Sequence, residues 1–142
     1  MAEPYLNDWN RQIIEEFRTN GGEVGGPFEG ATLLLLTTTG ARSGLQRISP
    51  LSYLLDGERL FIFAGNAGSP THPDWYYNLV AHPQVIVEVG TERFEATAAP
   101  VSGEKRDQIW ASQVQRLPGI AAYQKKTTRR IPVVELVRRN GS

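Results

Sequence analysis

The run Thr37-Thr38-Thr39-Gly40-Ala41-Arg42-Ser43-Gly44, with Arg47 three residues further on, gathers the residue types an anion site needs. A loop closed by glycines can turn its amides toward one point, and hydroxyls and two arginines five positions apart add donors and positive charge. Such a cradle suits a phosphate or a carboxylate. Its glycine spacing matches neither a P-loop nor a dinucleotide fingerprint, and no helix follows to add a dipole, so a plain hairpin carrying surface arginines accounts for the same residues. Trp75, Tyr76, Tyr77 and Asn78 lie beside a small-residue stretch, Gly65-Asn66-Ala67-Gly68. These rings can plug a barrel end, or form a slot for a flat heterocycle whose edge backbone amides approach. The Asn78 amide can bond either the ring or the backbone.

Side-chain catalysis is poorly equipped. His72 and His82 each precede a proline and sit at opposite ends of one short segment, so they make a poor metal pair and no metal site is expected. Asp74 most simply favours a helix dipole. No serine sits in a nucleophile elbow with a histidine placed to activate it. If the protein is an enzyme, a bound cofactor carries the reactive atom and the protein binds, orients and excludes water.

The chain has 142 residues, 40% of them hydrophobic, which suits one domain with a sizeable core. Fifteen basic residues balance fifteen acidic ones, so no nucleic-acid partner is indicated and any anion site must be local. Cysteine is absent, which removes thiolate chemistry and disulfides and agrees with a reducing cytoplasm. The first twenty residues include Glu3, Asp8, Glu15 and Glu16, unlike a signal peptide, and no apolar run approaches a membrane span.

The elements that must position these residues follow from periodicity. Leu6, Trp9, Ile13, Ile14 and Phe17 predict an amphipathic helix over 4–20, and the five glycines and Pro27 of 21–30 predict a linker or lid. The division expected is helix and linker over 1–30 and a barrel over 31–138. Strands are predicted at 32–39, 46–55 and 59–64 as a meander turned at Gly40–Gly44 and Asp56-Gly57. A helix follows with Pro73 at its first position and ends at His82-Pro83. Strands at 84–89 and 91–100 form a second hairpin. Ser102 can cap a helix to about Leu117 with Ile109, Trp110, Val114 and Leu117 as its apolar face. A short helical turn is expected over 120–125, a last strand over 131–137, and an unstructured tail from Arg138. The fold class is mainly β, a split barrel of about six mainly antiparallel strands with helices outside.

Taken in order, Leu34-Leu35-Leu36-Thr37-Thr38-Thr39-Gly40, Arg42-Ser43-Gly44, Arg47, Pro50-Leu51, Asp56-Gly57, Ala64, Gly68, Trp75-Tyr76, Asn78-Leu79 and His82-Pro83 resemble the deazaflavin-dependent nitroreductase family of actinobacteria. The match runs from about Gly22 to Val137. The resemblance implies a split barrel of the flavin-reductase and pyridoxamine-oxidase kind that binds coenzyme F420, an 8-hydroxy-5-deazaflavin with a phosphate and an oligoglutamate tail. It implies hydride transfer to a quinone, nitroaromatic or activated enone.

By the same resemblance the anionic arm meets Arg42, Ser43, Gly44 and Arg47, and Ser49, Pro50 and Leu51 line the strand beneath the ring. Ala64, Gly65 and Asn66 with Trp75, Tyr76, Tyr77 and Asn78 hold the deazaflavin, and Tyr123 orients or protonates the acceptor. Gly65-Asn66 replaces a common Ser-Lys, Ser52 a common tyrosine, and Ile120 is aliphatic; these departures bear on acceptor choice. The cytoplasm is the default localisation for such a sequence; the resemblance adds a transient contact at the inner face of the cell membrane, and pairing into a homodimer stays open. Two other readings stay open: a non-catalytic carrier of the same coenzyme, and an oxidoreductase using flavin mononucleotide on the same barrel.

Overall fold

The computed structural model describes residues 8–23 and 33–139. The β-branched and leucine-rich runs form β1 (Leu33–Thr39), β2 (Gln46–Asp56) and β3 (Arg59–Phe63), then β4 (Gln84–Val89), β5 (Glu92–Val101) and β6 (Val133–Arg138). All pair antiparallel in the order β1-β2-β3-β6-β5-β4, and β1 also pairs with β4, so the sheet closes. Closure leaves no long unpaired edge. This is the small antiparallel barrel expected from the sequence.

Alternation along each strand sends Leu34, Leu36, Leu60, Ile62, Val85, Val87, Ala96, Ala98, Val134 and Leu136 into one buried cluster. The helix α2 (Asp74–Ala81) connects β3 to β4 and adds Trp75 and Leu79 to that cluster. Pro73 is the cap of α2 in extended geometry, at ψ 154°, one position before the first helical residue where the sequence placed it. A proline at either position leaves no donor unsatisfied, which explains the one-residue ambiguity.

The helix α1 (Asp8–Thr19) packs Ile13, Ile14 and Phe17 against Leu33, Leu35 and Ile48 on the outer face of the sheet. Leu6 lies outside the described residues, as does 24–30 of the expected linker. Burying each of these large side chains contributes about 1.5 to 3 kcal/mol. Arg18 adds a two-pronged bond to the buried Glu88 of β4, at 2.9 and 2.8 Å. The helix ends at Thr19, and the turn after it closes with the Gly22 amide donating to the Phe17 carbonyl at 2.8 Å; Gly22 has φ +100°, and its missing Cβ would lie 2.7 Å from the Gly90 Cα in the β4–β5 turn. Gly22→Ala therefore meets both backbone strain and backbone overlap. A loss of roughly 1 to 3 kcal/mol is expected, read as a lowered thermal midpoint, and an unchanged midpoint would show that α1 can leave the barrel freely.

Beyond β5 lie α3 (Gly103–Arg116) and α4 (Gly119–Lys125), the latter being the short helical turn expected. Ser102 occupies the cap position of α3, yet its hydroxyl makes no capping bond. The expected apolar face of α3 is only partly used: Ile109 is buried against Leu54, Phe61 and Val133, whereas Leu117 is 46% exposed. Arg106 and Gln113 take buried places instead, Arg106 donating to the Ile131 carbonyl at 2.6 Å. The expected tail is also corrected. β6 continues through Arg138, because Arg138 pairs with Glu92 at 3.0 Å and covers the Phe94 ring, while the Arg139 amide donates to the Glu95 carbonyl.

Candidate functional site

A cavity of about 930 Å³ lies between the β1–β2 hairpin and the start of α2, a size typical of small-molecule sites. Gly40, Ala41, Arg42 and Ser43 form its hairpin wall, Arg47 and Ser49 its β2 wall, and Asn66 with residues 71–75, Tyr77 and Asn78 the opposite wall. Most of the expected cofactor residues thus meet around one space.

The hairpin supplies charge more than amides. The Gly40 amide donates to the Leu45 carbonyl and the Gly44 amide to the Gly40 carbonyl, at 2.8 and 3.0 Å. The Ala41 amide donates to Asn78 Oδ1 at 3.0 Å and the Leu45 amide to Ser43 Oγ at 3.1 Å. Turn closure thus uses these four amides within the protein, and the Arg42 and Ser43 amides are not among them. The side chains remain. Arg42 and Arg47 have no carboxylate partner among the described residues, whereas Arg18, Arg59, Arg130, Arg138 and Arg139 each pair with one. Asp74 is the carboxylate on the opposite wall.

Asn78 resolves its two readings in favour of the protein. Buried on α2, it accepts from Ala41 and donates through Nδ2 to Thr38 Oγ1 at 3.2 Å. It thereby fixes the hairpin against the helix. Trp75 is buried in the barrel cluster and shows part of its surface to the cavity, so its bulk closes the barrel as the plainer reading held.

Other expected residues lie off the cavity wall. Leu51 faces the barrel interior. Pro50 pairs with Leu35, whose side chain belongs to the α1 cluster, and so lies on the other face of β2 from Ser49. Gly44 completes the hairpin turn at φ +70°. Tyr76 reaches the cavity only through His72, their ring centroids 4.7 Å apart. Ala64 and Gly65 are buried behind Asn66, which adopts φ 48°, a conformation asparagine tolerates better than most residues, and bonds the Thr71 carbonyl at 2.9 Å. Tyr123 is 39% exposed; a Cβ on Gly65 would stand 3.3 Å from its ring. It sits beyond the loop rather than in the cavity wall.

Two residues that sequence reasoning missed organise this wall. Arg129, on the connector between α4 and β6, donates to the carbonyls of Ala64, Gly65 and Ser69 at 3.0, 2.8 and 2.9 Å. Its Nη1 also lies 3.0 Å from Nδ1 of His72. The His72 amide bonds the Tyr77 hydroxyl at 3.3 Å. Burial, and then the positive charge of Arg129, hold the His72 pKa below its ordinary value.

The family described as F420H(2)-dependent quinone reductase matches residues 9–138. An F420H(2)-dependent quinone reductase of Mycobacterium tuberculosis is 39% identical over 127 residues, covering 87% of this chain and 85% of the relative. Among solved structures, an F420-H2 dependent reductase is 39% identical, with a TM-score of 0.68 over 74% of this chain and 93% of its own. A domain-swapped dimer is 36% identical, with a TM-score of 0.71 over 91% of this chain and 97% of its own. The heme storage protein HutZ from Vibrio cholerae, 20% identical with a TM-score of 0.60 over 93% of this chain and 92% of its own, shares the fold alone.

Proposed function

The chain belongs to the F420H(2)-dependent quinone reductase family, and on that premise we propose that the cavity between the β1–β2 hairpin and α2 holds coenzyme F420 and brings a quinone to it. The observation that carries this placement is the pair Arg42 and Arg47, cations without carboxylate partners among the described residues, at the wall of a space of about 930 Å³. Unpaired guanidinium groups suit phosphate and carboxylate oxygens, which they bind through parallel bonds. Residues and coenzyme fit one another.

When bound and reduced, the deazaflavin supplies a hydride, and a proton completes reduction of the quinone to the quinol. The chain's own part is to bind, orient and deliver that proton. Arg42, Ser43 and Arg47 hold the anionic arm; the Asp74 carboxylate repels it from the α2 wall and so sets its direction. Ser49, Asn66, Trp75 and Tyr77 flank the ring. Tyr123 stands on the acceptor side in this reading, and its hydroxyl has no hydrogen-bond partner among the described residues, leaving it able to orient or protonate a quinone oxygen.

Among the described residues no helix is long and apolar enough to cross a membrane. A lipid-borne quinone would then be met by transient contact from the cytoplasmic side. The domain-swapped relative supports pairing with a second copy. The test of function is turnover: the protein should oxidise reduced coenzyme F420 when a quinone is added and leave it reduced when none is present. Tight binding with no quinone-dependent oxidation would contradict the assignment.

A further inference from the structure

We infer that His72 presents its Nε2–H to the cavity as a hydrogen-bond donor for an oxygen on the edge of the coenzyme's ring, with Arg129 as the positioning residue that fixes this tautomer. The inference rests on the reading of the cavity as the coenzyme site.

A guanidinium only donates, so the 3.0 Å contact from Arg129 Nη1 requires Nδ1 of His72 to accept. A neutral imidazole accepting at Nδ1 carries its proton on Nε2, on the far side of the ring. That nitrogen makes no hydrogen bond to any described residue, while His72 itself lines the cavity. The ring cannot readily turn away. Its backbone amide is bonded to the Tyr77 hydroxyl, Tyr76 lies 4.7 Å from it and Tyr77 5.6 Å, between ring centroids, and Arg129 is held by three loop carbonyls.

The charged and titratable groups around His72 are Arg129 on the α4–β6 connector and Asp74, Tyr76 and Tyr77 on α2. Protonation of His72 would set Nδ1–H against the Arg129 N–H groups. The same contact that fixes the tautomer therefore keeps the ring neutral. His72 is a binding residue whose proton stays in place, complementing the cationic hairpin across the cavity.

The test measures coenzyme F420 affinity by deazaflavin fluorescence, together with 15N NMR of the imidazole in the free protein. His72→Phe should weaken binding by about tenfold, the effect of one ordinary hydrogen bond. His72→Gln, whose amide nitrogen reaches near the Nε2 position, should stay within about threefold of the wild type, whereas His72→Asn, which reaches only Nδ1, should resemble His72→Phe. The free wild-type protein should show a pyridine-like Nδ1 and a pyrrole-like Nε2, and Arg129→Lys should blur that distinction. Wild-type affinity in a folded His72→Phe variant, or a pyrrole-like Nδ1, would overturn the inference while leaving the coenzyme site intact. A wild-type protein that does not bind coenzyme F420 would overturn both.

Discussion

Arg47→Ala is expected to raise the dissociation constant for coenzyme F420 by roughly tenfold to more than a hundredfold, since a hydrogen bond to a charged partner contributes about 1.5 to 3 kcal/mol and each decade corresponds to about 1.4. Arg47 is half-buried at the start of β2, opposite Thr38, and its only bond within the described chain goes to the neighbouring Gln46 carbonyl at 3.0 Å. Removing it leaves no buried partner stranded. The thermal midpoint should therefore correspond to a stability change within about 0.5 kcal/mol. Affinity of the wild type should also weaken with added salt, because part of the attraction is between exposed charges. Asn66 sharpens this dependence: with asparagine rather than lysine in the Gly65–Gly68 stretch, Arg42 and Arg47 are the cations that line the cavity. An unchanged dissociation constant in a folded Arg47→Ala protein would remove this arginine from the site.

Arg129→Met has the opposite signature, a large loss of stability. One side chain ties the carbonyls of Ala64, Gly65 and Ser69 and the ring of His72 to the connector before β6. Gln124 reinforces the same connector, donating to the Arg129 carbonyl and accepting from the Ile131 amide, at 2.7 and 2.9 Å. Without the guanidinium several partly buried acceptors lose their donor, and unsatisfied groups of this kind cost about 1 to 3 kcal/mol each before relaxation. A net loss of roughly 2 to 4 kcal/mol is expected after water takes some of the places, equivalent to about 6 to 12 °C for a chain of this size. Arg129→Lys should recover part of it, since an ammonium keeps the charge without the planar fork. A midpoint within about 2 °C of the wild type in Arg129→Met would show that the loop closes without this clamp.

What was legible in the sequence is what neighbouring residues decide. Alternation and Asp56-Gly57 gave the meander, and the Thr37–Gly44 run gave the hairpin that forms one cavity wall. The ordered motif string also pointed to the family and its coenzyme. What was not legible depends on partners distant along the chain. Arg129 is 57 residues from His72, and nothing in the local pattern around Thr127-Thr128-Arg129-Arg130 distinguishes a loop clamp from a surface charge. His72 looked like a residue serving a proline turn because its function comes from that same distant arginine. The hairpin amides are a related case: the type of loop is legible, yet the Asn78 carboxamide, 37 residues away from Ala41, the Ser43 hydroxyl and the turn's own carbonyls accept four of its protons. Arg138 and Arg139 read as a tail until Glu92, Glu95 and Phe94 of β5 gave them partners.

A cavity built for a deazaflavin with an anionic arm should discriminate between coenzyme F420 and flavin mononucleotide when the protein is titrated with both, side by side, at low and at raised salt. Both ligands offer a flat tricyclic ring and a phosphate but differ in ring atoms and in the carboxylate tail, so the salt dependence of the difference reports what the Arg42–Arg47 wall gains from the tail. Coenzyme F420 should bind at least tenfold more tightly, with an advantage that shrinks as salt is raised. Equal affinities, or tighter binding of flavin mononucleotide, would contradict it.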